Sequence, residues 1–315
     1  MTIDAVSAPW CSNVIAAARV QPGERMIVAV DEALRPEAER LVAAVEAVGA
    51  RGQLVLLPPD SLEEAPPELL EAAERADAWI SLWERPRRYT AARNQLIRTL
   101  RAGGARMLGM PLVNRGLPAD ELSRPLPDLE PAARSLLHAL EGAAEIRIRG
   151  HAGTDLTLDI EGHDWQTDAL PLQAGGIANH PGGEVFTLPR TANGRLVADL
   201  TVPYVSDTLL ATPIVIVFAE GRATSIEGDA AAEHLRDVVA EAEGPADRVA
   251  ELGIGLNPTL SPRGHVLIDE KVAGTAHLAI GSNIHMGGTQ AASIHVDCVF
   301  RLSELRLDGT AVALR

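Results

Sequence analysis

From the N-terminus the chain alternates short, unbroken apolar runs with stretches of helical periodicity. Met26-Ile27-Val28-Ala29-Val30 is a continuous apolar run of the kind a strand buried on both faces requires. Arg35 to Val48 carries an apolar stripe that Gly49 ends, as a helix does. The succession repeats, with strands predicted over Gln53 to Leu57, Ala78 to Leu82 and Met107 to Met110. Helices are predicted between them, over Glu68 to Arg75 and over Arg93 to Ala102, the second stopped by Gly103-Gly104. Strands separated by helices predict a small parallel sheet with helices on its faces. After the first strand the chain reads Asp31-Glu32-Ala33-Leu34-Arg35, without the glycines of a phosphate-binding loop, so a nucleotide-binding domain is not expected. A proline-rich stretch, Gly116-Leu117-Pro118 through Pro125-Leu126-Pro127, precedes a helix predicted over Pro131 to Leu140 and marks the vicinity of a domain boundary.

Beyond residue 144 the period shortens to two. Glu145 to Arg149, Leu156 to Ile160 and Pro213 to Ala219 read as strands. Gly183 to Pro189 followed by Arg195 to Val202 reads as a hairpin turning at Asn193-Gly194. One helix is predicted from Ala230 to Ala242, closing at Gly244. Near the end, Ile294, Val296, Cys298 and Phe300 share one strand face, with His295 and Asp297 on the other beside Val299. The expected architecture is an α/β domain over residues 1–143, then an α+β, β-rich, metal-binding catalytic domain over 144–315.

Composition narrows the partners. A formal charge of -15 disfavours nucleic acid and anionic membranes, and favours a small molecule or short peptide carrying an amino group. The two cysteines, Cys11 and Cys298, fall in different predicted domains and suggest no disulfide framework. No basic flank and apolar core opens the chain, and no run of about 18 apolar residues occurs, so a cytoplasmic location is expected.

Eight of the nine histidines lie between His151 and His295, which directs the search for chemistry to the second half. A buried imidazole or carboxylate needs a hydrogen-bond network, ordered water or a metal ion as partner. Four stretches place metal-competent side chains in glycine-rich or apolar settings: Glu184 in GEVFT, Glu251 in ELGIGLNP, Glu270 and His277 in DEKVAGTAHLAIG, and the His295-Asp297 pair. Taken singly, each has an ordinary alternative. Glu184 reads as a solvated acid on a half-wet strand, Glu251 as one more exposed acid, and His277 equally as a satisfied core histidine or a ligand. His151, His163, His180, His234, His265 and His285 sit near Gly, Pro or acidic residues and read as surface or supporting groups.

Together and in this order, GEVFTLP, ELGIGLNP, DEKVAGTAHLAIG and SIHVD resemble the aminopeptidase T family of dinuclear metallopeptidases, as does the upstream GTDLTL. The resemblance covers roughly residues 144–300. It implies an exopeptidase, a homodimer, with two divalent ions (Zn, Co or Mn) held by Glu184, Glu251, His277, His295 and Asp297. Glu251 or Glu270 would move the proton, and Lys271 or Asn283 would steady the oxyanion. Where that family places a tyrosine, the chain reads Gly281-Ser282-Asn283-Ile284-His285. Short relatives of the fold include dioxygenases that cleave dihydroxypyridine rings with one Fe(II) on two histidines and an aspartate. The alternative expectation is therefore a mononuclear iron dioxygenase using His277, His295 and Asp297. A non-enzymatic descendant that retains metal for stability is the third.

Overall fold

The computed structural model describes residues 9–57, 59, 61–84, 89–111, 122–123 and 126–312. They group into two compact units: residues up to 127 with 171–182, and residues 128–170 with 183–315. Most of the proline-rich stretch, residues 116–121 and 124–125, lies outside the described residues.

In the first unit, helix α1 (Pro9–Ala17) precedes strand β1 (Arg25–Val30), helix α2 (Arg35–Ala47) and strand β2 (Arg51–Leu56). Helix α3 (Pro67–Glu74), strand β3 (Ala78–Trp83), helix α4 (Ala91–Ala102) and strand β4 (Arg106–Pro111) follow. The expected parallel sheet is present, in the order β2-β1-β3-β4 and then a fifth parallel strand from residues 177–179. Ile27, Ala29, Trp79 and Met107 of the sheet pack against Leu69 and Ala73 of α3 and Leu96 and Leu100 of α4. Burial of this apolar area is what holds the helices to the sheet. The Thr90 hydroxyl starts α4 by accepting from the Arg93 N–H at 3.2 Å. Gly49 ends α2 region with φ +84°, a left-handed conformation that costs glycine nothing.

The second unit opens with helix α5 (Glu130–Leu140), then strands β5 (Glu145–Gly150), β6 (Asp155–Asp159) and β7 (Gln166–Thr167). The fifth strand of the first unit is β8 (Ile177–Asn179). The chain then forms β9 (Glu184–Thr187), β10 (Thr191–Ala198), β11 (Ile214–Ala219), β12 (Arg222–Glu227), helix α6 (Ala230–Glu241) and β13 (Val249–Gly255). A short helix α7 (Val266–Asp269), β14 (Thr275–Gly281), the long β15 (His295–Leu307) and β16 (Thr310–Val312) complete it. One antiparallel sheet runs in the order β12-β11-β10-β6-β5-β15-β14-β13-β9-β7, with β16 beside β15. Ala133, Leu136 and Leu140 of α5 pack into this unit's core with Ile146, Leu158 and Phe300.

Two expectations are corrected here. The single division at 143/144 gives way to an exchange: α5 docks on the second core, while residues 171–182 return to extend the first sheet. The expected hairpin across Asn193-Gly194 does not form. β9 pairs with β13 and β7, whereas β10 pairs with β6 and β11, and Asn193-Gly194 lies inside β10. Gly194, at φ +116°, is needed because a Cβ there would strike the Asp155 carbonyl of the neighbouring strand. The glycine marks a close strand approach and not a turn.

Candidate metal centre

The donors are placed by four consecutive strands of the second sheet, β15, β14, β13 and β9. Across the register Glu251 and Asp297 both pair with Ala279, so the small alanine separates two carboxylates on one face. One step along, His277 pairs with Gly253 on one side and Val299 on the other, Gly255 pairs with Glu184, and Gly281 with His295. Each large donor thus has a glycine or alanine beside it. The reason is steric: a Cβ on Gly253 would collide with the His277 ring, and one on Gly255 with the Val272 carbonyl and the Thr275 hydroxyl. Gly253→Ala is accordingly expected to displace His277, lower metal content and cost about 1–3 kcal/mol of stability, as overpacking does. Metal content and a thermal melt check it; a variant with wild-type metal would show that the ring position does not depend on this glycine.

All five residues expected as ligands, with Glu270, come together. His277 Nε2 lies 3.5 Å from Glu251 Oε1 and 3.7 Å from Asp297 Oδ1. His295 Nε2 lies 3.1 Å from Glu251 Oε2 and 3.0 Å from Asp297 Oδ1. Both imidazoles therefore face the same two carboxylates. His295 Nδ1 is 2.7 Å from the Ser282 carbonyl, a contact that places the ring proton on Nδ1 and leaves the Nε2 lone pair for ligation. Glu184 and Glu251 are buried, contrary to their solvated alternative readings, because β9 and β13 are covered along their whole lengths.

Two residues beside the donors, Lys271 and Asp168, were given another role or were not recognised from the sequence. Lys271 is fully buried and ion-paired to Asp168 at 3.1 Å, to Glu270 at 3.0 Å and to Glu184. Its ammonium is engaged with these three acids. Asp168 also accepts from the N–H groups of Gly183 and Glu184, at 2.7 and 2.8 Å, through its other oxygen. Its only sequence signal is a short polar residue before a proline-flanked turn, which is too common to single out. His285, read as a supporting group, sits on a one-turn 3₁₀ segment (Ile284–Met286) with its ring against that of His295. Asn283 is occupied in the same turn, its side-chain oxygen accepting from the Gln290 N–H at 2.8 Å.

The electrostatics call for a cation. Asp168, Glu184 and Glu270 gather around one ammonium while Glu251 and Asp297 face the two imidazoles, and burying such an excess of acid is costly unless it is compensated. Burial drives the Glu184 carboxyl well above its ordinary range despite Lys271, and pushes Glu270 up to about 8. Burial acts the same way on Glu251 and Asp297, yet His277 and His295 outweigh it for Glu251, and His295 foremost does so for Asp297, holding both below their usual values. Burial opposes the charged form of His277, but the hydrogen bond to Glu251 prevails and raises it. Glu184 Oε2 and His277 Nδ1 are buried without a hydrogen-bond partner, 3.7 Å apart. Ligand atoms around a divalent ion at about 2.1 Å stand roughly 3.0–3.4 Å from one another, close to the 3.0–3.7 Å between the Nε2 atoms of the two histidines and the Glu251 and Asp297 oxygens. Mixed imidazole and carboxylate donors suit Fe²⁺, Zn²⁺, Mn²⁺ or Co²⁺. The residues present fit a divalent metal.

An α/β unit followed by a unit whose antiparallel sheet concentrates these donors gives a fold equipped to hold a divalent metal. The chain belongs to the NicX family: the family model described as 2,5-dihydroxypyridine 5,6-dioxygenase matches residues 7–315. Among solved structures it is similar to 2,5-dihydroxypyridine dioxygenase from Pseudomonas putida KT2440, with 21% identity and a TM-score of 0.76 over 100% of this chain and 96% of that one. It is also similar to AmpT from Thermus thermophilus, with 19% identity and a TM-score of 0.68 over 96% of each chain. No curated protein sequence matches. The aminopeptidase T resemblance thus holds at the level of the fold, and family membership favours the dioxygenase alternative over the hydrolase expected first. Among the described residues no helix is long and apolar enough to cross a membrane.

Proposed function

We propose that this protein is a ring-cleaving dioxygenase that binds one ferrous ion on His277, His295 and Asp297, with Glu251 beside them, and acts on a dihydroxylated pyridine-type ring. Family membership supports the reaction class. The observation that carries a single metal is Lys271: its ammonium already sits among Glu184, Glu270 and Asp168, the acids a second ion would need. A second divalent ion there would meet a buried positive charge within a few ångströms, where the interior screens poorly.

Bound iron supplies the one-electron chemistry that lets ground-state oxygen react with an aromatic ring. The protein's part is positioning and charge. His277 and His295 offer neutral nitrogen donors, and Asp297 and Glu251 offset the metal's charge. The Ser282 carbonyl fixes the orientation of His295. A Glu270 oxygen lies within 4.8 Å of donor atoms of His277 and Asp297, a proximity that supports a role for it in accepting a proton from a ring hydroxyl. Lys271 holds Glu184 and Glu270 in place.

The test is reconstitution of the metal-free protein with ferrous salt under anaerobic conditions, followed by addition of oxygen and 2,5-dihydroxypyridine. The expected result is one iron per chain and one oxygen consumed per ring lost, both abolished by a chelator. Two equivalents of zinc-like metal, amide hydrolysis and no oxygen uptake would overturn it in favour of the metallopeptidase reading that the AmpT-like fold also supports.

A further inference from the structure

We infer that His285 is an additional ligand of the metal centre, binding the same ion as Glu251 and His295. This rests on the single-ion reading above. Glu251, His285 and His295 each bring a ligand atom within 4.8 Å of the other two. The rings of His285 and His295 are 4.7 Å apart between centroids, with their planes at 88°. An imidazole bound at about 2.1 Å has its centroid roughly 3.2 Å from the ion, so two such rings on adjacent coordination positions stand about 4.5–5.2 Å apart. The observed pair falls inside that interval. A simple edge-to-face packing of two rings has a similar spacing, but it does not bring a carboxylate donor to both nitrogens, as Glu251 does here.

The turn that carries His285 is tied down from two sides. The Gln166 amide of β7 donates to the Met286 carbonyl at 2.9 Å, and Asn283 accepts from Gln290 within the loop. Gly287, at φ +92°, lets the chain reverse directly after the histidine. A Cβ on Gly288 would collide with the Asn283 side chain, so this loop is held close against itself. A third imidazole makes the site richer in nitrogen than the strands alone provide. That favours late first-row ions over the oxygen-preferring Mg²⁺ and Mn²⁺.

The experiment titrates cobalt(II) alone into the chelator-stripped full chain and follows the visible absorption of the ion. His285→Phe is expected to weaken cobalt binding at least about tenfold and to change the band shape, because a nitrogen ligand is lost. His285→Gln, of polar character, is expected to do the same, which separates loss of the imidazole from a packing defect. His138→Phe, at a position whose side chain is 88% exposed, is expected to titrate as wild type. Titration curves and spectra of both His285 variants superimposing on wild type would overturn this inference and leave the single-ion reading intact. A wild-type chain that binds no cobalt, or binds two equivalents, would overturn the two together.

Discussion

His277→Ala is expected to leave a folded protein that holds less than a tenth of its metal and shows no measurable ring cleavage. The residue stands at the middle of the donor array. Its Nε2 faces Glu251 and Asp297, and its Nδ1 faces Glu184. Outer-shell partners of metal ligands cost roughly 10–100-fold in affinity or activity when removed, and a residue at the centre of the donors should cost more, on the order of 10³-fold. Truncation also creates a cavity next to Gly253, but one lined by polar groups that water can enter. Folding is therefore expected to survive. Metal quantification, oxygen uptake and circular dichroism on the same sample check the three parts. A variant that retains a full equivalent of metal would remove His277 from the centre.

Lys271→Met is the substitution expected to cost most in stability. Methionine keeps the length of the side chain and removes the charge, so Asp168, Glu184 and Glu270 lose their shared partner in a dry interior. Breaking a buried ion pair by removing one member costs about 3–5 kcal/mol. For a unit of this size that lowers Tm by roughly 6–20 °C. The measurement is a thermal melt of metal-free protein. The pH dependence has a definite sign. Burial already raises the carboxyls of Glu184 and Glu270, so the folded state favours their protonated forms and the metal-free protein gains stability as the pH falls. Protonation also removes the charge that Lys271 compensates, so the deficit of the variant should be larger at pH 8 than at pH 5. A variant as stable as wild type at both values would mean that the three acids are neutral, or solvated, in the native protein.

Much of the first unit was legible because its local signals agree. Unbroken apolar runs, glycine stops and intervening amphipathic helices all point to a parallel sheet, and β1, β3 and β4 form it. The two-residue alternation at His295 and Asp297 was equally plain, since strand geometry alone puts both on one face. Strand β8 was invisible, being three residues long and separated from β4 by the whole opening of the second unit. Asn193-Gly194 misled because the same dipeptide that favours a tight turn also suits a strand that another backbone approaches closely. Glu184 looked solvated for a related reason: pairing with β13, and not with β10, carries it into the interior.

The amino-acid sequence by itself determined the two kinds of architecture and the residue types able to hold a divalent ion, because periodicity and side-chain chemistry are local properties. Which of those residues share a site was decided only in three dimensions. The order β15-β14-β13-β9 joins donors scattered over more than a hundred positions, and strand pairing between distant segments leaves no local mark. The same holds for Lys271 and Asp168, whose significance lies wholly in the buried acids around the ammonium. A charge acquires its partner, and its cost, from the interior that surrounds it.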